Sequence, residues 1–306
     1  MSSLPIIQID ASTFQNQISR LAETIAQKVK REGKKYLNGL DDFHADIFIS
    51  IRQGKNTYDF LYWVHSDDLR SNYGWKDNYI FASAPLVRTL IDNLYNITLL
   101  LQDPMTNGRR FRASGNRKDL LYLDAEEKRY GGNPIWDAYI ADSRQKMAHL
   151  LRASGFTEAE VRDKKRYPDW PTLGKYISEG PPSPHKSFLD TFSYGHWKRY
   201  SAIAHGAAEG LHEIGSFLNR DGHPHEERPM IDEAYPRMMS YHIMSAAILM
   251  LSIITEVQVA YGFKDSGARI NERIVEGWQA LLPAMEAKEV YDNHYFQLMR
   301  DKGIMQ

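Results

Sequence analysis

A chain of 306 residues, 42% hydrophobic and 25% charged, has the proportions of a globular protein able to bury a sizeable core, and 13 Pro and 20 Gly exclude collagen-like and low-complexity classes. No cysteine is present, which excludes disulfide frameworks, thiolate-ligated zinc, iron–sulfur clusters and thiol nucleophiles, so metal chemistry would have to use His, Asp and Glu. A formal net charge of -1 gives no global attraction to nucleic acid or anionic lipid, so such a partner needs a local patch.

Met1 to Asp10 carries no basic n-region and no apolar core of a secretory leader, and only Pro5 to Ile9 resembles an edge strand. Ser12 or Thr13 caps a helix with Phe14, Ile18, Leu21, Ile25 and Val29 on one face, ending near Gly33. A second helical stretch from Asp42 breaks near Gly54 and resumes through Tyr58, Leu61, Tyr62 and Val64. Pro85 suits a first turn, after which Leu86, Leu90, Leu94, Ile97 and Leu101 form an apolar face that Asp103-Pro104 terminates.

Thr106 to Lys118 is polar and basic, without an acid, and reads as a loop. Helices are expected over Lys118 to Arg129 and Trp136 to Arg152, with a capping box at Thr157 to Glu160. Pro168 to Pro184 is a connector with one helical turn near Leu173 to Ile177. A helix through His196 to Leu211 follows, then a polar loop over Asn219 to Pro229 and the longest apolar helix, Ile231 to Tyr261. Its most apolar part, Ile243 to Ile254, is about twelve residues against the roughly twenty that span a bilayer, so a core helix, no membrane and a cytoplasmic location are expected. Arg269 to Met285 and Val290 to Met299 close an all-α, multi-helix bundle.

Glycine-rich phosphate loops and the G-x-S-x-G elbow are absent. The densest polar chemistry runs from Tyr194 to His212. Within it Ala202, Gly206 and Gly210 form a small-residue stripe at four-residue spacing, suited to close approach of a helix or ligand unless the helix breaks near Gly210.

Arg199, five residues and then His205, late in a helical chain, resembles the signature of the HEPN superfamily. The likeness extends to Arg88-x-x-x-Asp92 on an earlier helix and to Pro168-Asp-Trp-Pro171, and covers Ala84 to about Tyr261. It implies a HEPN-like domain over 81–265, an N-terminal helical region over 1–80 and C-terminal helices over 266–306. It further implies a metal-independent endoribonuclease of toxin–antitoxin or phage-defence type, a homodimer whose motifs meet across the interface, and no cofactor. Arg199 and His205 would be catalytic, the imidazole moving the 2′-hydroxyl proton and the guanidinium meeting phosphorane charge, to give a 2′,3′-cyclic phosphate. On a helix, an offset of six residues separates the two by about 9 Å along the axis and about 120° around it.

Members with this signature usually carry a small polar residue after the arginine, and here Tyr200 stands there. Tyr200 or Ser201 would then position phosphate, or the chain is a catalytically inactive module that binds a nucleotide, RNA or a partner such as an antitoxin. Arg88 and Asp92 are supporting residues, and Glu209 would orient His205 by a hydrogen bond. Arg109, Arg110, Arg112 and Lys118 form an RNA-binding patch, with Arg162, Lys164, Lys165 and Arg166 as a second one. A competing reading places a metal on His205, Glu209 and His212, at i, i+4 and i+7, although no second Glu-x-x-His completes a di-metal bundle. His223, His225 and Glu226 form a weaker cluster.

Overall fold

The computed structural model describes residues 11–39, 41–64, 79–208, 210, 212, 215, 222, 224–264 and 269–305. Among them there is no strand, and the chain is an all-α multi-helix bundle. Pro5 to Ile9 lies outside the described residues.

Helix α1 (Ala11–Tyr36) buries Phe14, Ile18, Leu21, Ile25 and Val29, the face its spacing predicts. It runs past Gly33, which is a packing glycine: a Cβ there would stand 2.8 Å from His44 Nδ1 and 3.2 Å from Tyr261. The space lets His44 and the Tyr261 hydroxyl meet at 2.9 Å. Helix α2 (Asp41–Val64) is unbroken, and Gly54 rests at ordinary contact distance from Met250 and Ile253. Helix α3 (Tyr79–Gln102) begins earlier than expected, which puts Pro85 in its interior at the loss of one helix hydrogen bond.

Asp103 ends α3 and caps α4 (Pro104–Tyr130), accepting from the Thr106 N–H at 3.1 Å. The expected basic loop over Thr106 to Lys118 is therefore part of a helix. Its arginines find acids and carbonyls from distant parts of the chain, which a local reading of charge does not register. Gly131 to Asn133 turn the chain into α5 (Pro134–Ala153), and the Thr157 capping box starts α6 (Glu158–Arg162) as expected. These helices enclose a small separate core of Ala113, Leu120, Leu151, Phe156 and Val161.

Short helices α7 (Leu173–Glu179) and α8 (Pro184–Phe188) lead through a π-turn over Leu189–Tyr194 into α9 (Gly195–Ala204). The longest helix is α10 (Arg228–Tyr261), against which α1, α2 and α3 pack. Its segment Arg237–Tyr261 is 25 residues, longer than the apolar run suggests and long enough to cross a membrane, and 78% of its most apolar window is buried in the bundle. Helix α11 (Ile270–Leu281) covers it, with fully buried Trp278 donating to Thr255 Oγ1 at 3.0 Å. Helix α12 (Met285–Val290), a π-turn over Tyr291–Tyr295 and α13 (Phe296–Asp301) complete the bundle. Residues from α1, α2, α3, α9, α10 and α11 share one large core.

Candidate functional site

Helix α9 does not continue to Leu211. It stops at Ala204 because Gly206 adopts a left-handed conformation with φ of 64°, its N–H bonding Ile203 O and that of Ala207 bonding Ala202 O. These two bonds are a Schellman cap. The small residues therefore do not form a stripe along one helix. Gly210 instead folds back on α9, where a Cβ would lie 2.5 Å from the backbone of Ala202 and Ile203. Close approach does explain this glycine, but across a turn.

His205 sits at the helix end, exposed, with Arg88 Nη1 3.0 Å from its Nε2. An arginine only donates, so the imidazole accepts through Nε2 and its own proton lies on Nδ1. Arg88 Nε is 3.9 Å from Asp92 Oδ2, and the guanidinium lies 5.6 Å from the centre of the Trp197 ring. The same indole donates to Asp92 Oδ1 at 2.9 Å. Burial pushes the Asp92 carboxyl above its ordinary range, while the Trp197 bond and the Arg88 charge pull it back. Arg88 Nε is buried and makes no hydrogen bond among the described residues.

Three expected residues, Arg88, Asp92 and His205, are thus brought together. Trp197, which joins them, belongs to no motif in the sequence. Its signal is its place on α9 about two helical turns before His205.

Arg199 is exposed, and its charge is felt by His196, Tyr241 and His242. Tyr200 is 1% exposed, 5.4 Å from the His242 ring, so its side chain belongs to the core and not to a surface phosphate site. Ser201 Oγ is buried without a hydrogen-bond partner among the described residues. Glu209 and His223 lie outside the described residues, and His212 and His225 are exposed. Helix α9 ends at Ala204, so His205 lies past its last residue, and His205 Nε2 faces Arg88 Nη1.

The arginines of α4 are engaged internally. Arg109 donates to the Tyr167 hydroxyl at 3.2 Å, Arg110 to Asp169 O at 2.8 Å, and Arg112 to both Asp46 carboxylate oxygens at 2.7 and 2.8 Å. Lys118 is exposed. In the second patch Arg162 bonds Asp124, Lys164 bonds Asp169, and Arg166 pairs with Glu160. RNA would have to compete with these partners.

His242 makes a further consequence measurable. Burial, with a smaller contribution from the Arg199 charge, lowers its pKa from 6.5 to about 4. Between those values the unfolded chain binds a proton that the folded chain refuses, so stability falls as pH drops through this window and the loss is complete below it. Between pH 7 and 5 the loss is about 2 kcal/mol. His242→Phe, which has no titrating ring, is expected to flatten the pH dependence of urea unfolding by that amount; an unchanged dependence would contradict the assignment.

Compared with known protein families, with curated proteins and with solved structures, the chain matches none.

Proposed function

We propose that the surface around His205 cleaves RNA by acid–base chemistry, as the resemblance to HEPN-like ribonucleases implies. The observation that carries this reading is the 3.0 Å contact between Arg88 Nη1 and His205 Nε2, with Asp92 and Trp197 behind the guanidinium. An exposed imidazole can take the proton of a 2′-hydroxyl and the guanidinium beside it can meet the adjacent phosphate, once the two side chains part. When RNA binds, the guanidinium moves from His205 to a phosphate oxygen, which frees Nε2 to take the 2′-hydroxyl proton. The 2′-oxygen then bonds to phosphorus, the bond from phosphorus to the 5′-oxygen breaks, and that oxygen takes the proton from the His205 imidazolium, which returns to its neutral form. Arg199, of the same copy or of a second copy in a homodimer, adds positive charge to the phosphate track. A toxin or phage-defence role, with an antitoxin or other partner, follows from the same reading.

A second reading has its own support. Burial of Tyr200 puts a core residue where a phosphate-positioning one is expected, which suits an inactive module that binds a nucleotide, RNA or a protein partner. Purified wild type and His205→Ala incubated with mixed RNA separate the two. Fragments ending in 2′,3′-cyclic phosphate from the wild type alone are expected. Equal products from both proteins, or 3′-hydroxyl ends, would overturn the ribonuclease reading in favour of the binding module.

A further inference from the structure

A second group of ionisable side chains lies away from His205, drawn from three separated parts of the chain. Glu256 stands in the last two turns of the apolar helix α10 and is 3% exposed. A carboxylate removed from water is costly unless a cation or several donors meet it, by several kcal/mol in general. The ionisable groups meeting Glu256 Oε1 are two histidines and a phenol: His294 Nε2 at 3.0 Å, the Tyr295 hydroxyl at 3.3 Å and His185 Nδ1 at 3.9 Å. His185 Nδ1 is itself buried and has no hydrogen-bond partner among the described residues.

The three ligand-type atoms, two imidazole nitrogens and one carboxylate oxygen, all lie within 4.8 Å of one another. A tetrahedral ion with bonds of about 2.0–2.1 Å holds its ligand atoms about 3.4 Å apart. Distances of 3.0 and 3.9 Å to Glu256 bracket that value, so small rotations of His185 and His294 would close the set. The imidazole of His294 is held by a parallel stack on Phe188, with centroids 4.2 Å apart. Adjacent residues His294 and Tyr295 both reach Glu256 from the π-turn, a local geometry often found at functional sites. Tyr295 supplies an outer hydrogen bond that fixes the carboxylate.

We propose that His185 Nδ1, His294 Nε2 and Glu256 Oε1 form a binding site for a divalent first-row transition cation of the zinc type. Two nitrogens and one oxygen suit zinc, cobalt or ferrous iron better than magnesium or calcium, which prefer oxygen shells. Three protein ligands leave a position for water or a small anion. A cleft of about 330 Å³ adjoins the site, lined in part by Phe188, Phe192, Asn293 and His294, with Glu286 and Glu289 adding negative charge to its wall. The ion would tie α8 and the C-terminal π-turn to α10.

Zinc titration of chelator-treated full-length protein by calorimetry, and cobalt titration followed by visible absorption, test the site. The expected result is one ion per chain, with d–d bands of tetrahedral or five-coordinate cobalt, and a zinc affinity at least about a hundredfold lower in His185→Ala and in His294→Ala. Among the described residues His185 has no hydrogen bond at Nδ1 to lose, so its variant is expected to fold, and alone it decides the matter if His294→Ala does not. Tyr295→Phe is expected to keep one ion at affinity reduced about tenfold or less. No stoichiometric binding, or zinc binding that survives His185→Ala unchanged, as it would on exposed histidines such as His225, would overturn the proposal.

Discussion

Alanine at His205 is expected, on the proposed ribonuclease mechanism, to lower the rate of RNA cleavage by about a hundred- to ten-thousandfold, the range typical of removing a general acid–base group. Arg88→Ala is expected to fall in the lower part of that range, about a hundred- to a thousandfold, as for loss of one preorganised donor to a charged transition state. The losses should appear in kcat more than in KM, because in the proposed reaction both groups meet charge that develops on the way to the transition state. Arg88→Lys separates the charge from the fork. A lysine keeps the positive charge but not the planar donor set that spans His205 and Asp92, so only partial recovery is expected. Circular dichroism and thermal unfolding should be near wild type for His205→Ala, whose side chain is exposed. A variant at either position with wild-type kcat would remove the cluster from the reaction.

Arg117→Ala is expected to destabilise the small lobe by about 3 kcal/mol, through buried carbonyls left without donors. Arg117 is 3% exposed, and its guanidinium donates to Val161 O at 2.7 Å, to Tyr167 O and to Asp169 Oδ1 at 2.5 Å. Asp169 is half exposed and keeps Lys164 as a partner, so the carboxylate contributes less than the two carbonyls. Arg117→Lys cannot serve three acceptors in different directions and is expected to recover little. Amide exchange across Val161 to Trp170 should accelerate before the main core responds, because Ala113, Leu120, Leu151, Phe156 and Val161 form their own cluster. A loss below about 0.5 kcal/mol in urea unfolding would show the three bonds to be incidental.

Arg117 also shows where a sequence is readable and where it is not. The α1 face, the Asp103 stop, the Thr157 capping box and the apolar α10 are local patterns of period or capping, and each stands where the sequence places it. The helix over Thr106 to Lys118 escaped because its acids, Asp46 and Asp169, lie far away in the chain. A window without acids looks solvated until its distant partners are brought to it. Gly54, where the spacing predicts a break, is instead a point where α10 approaches an unbroken α2. Gly206, read as part of a stripe, is the left-handed stop that ends α9 and places His205 at an exposed corner.

At the candidate site, residue types were legible and partners were only partly so. Arg88, Asp92 and His205 were named from the sequence, but the hydrogen bond between Arg88 and His205 joins residues over a hundred positions apart. The histidines around Glu256 carry no sequence spacing at all, since His185, Glu256 and His294 belong to three different elements. The signal the sequence offers is a single acid, Glu256, just after the apolar run Ile243 to Ile254.

A double-mutant cycle on Arg88 and His205 tests the central claim most directly. kcat/KM for RNA cleavage is measured for the wild type, Arg88→Ala, His205→Ala and the double variant. Groups that act as one unit give grossly non-additive losses, so the double variant is predicted to be within about threefold of His205→Ala alone. Losses that multiply across the two substitutions, or cleavage that persists undiminished in all four proteins, would contradict a catalytic unit built from the 3.0 Å contact.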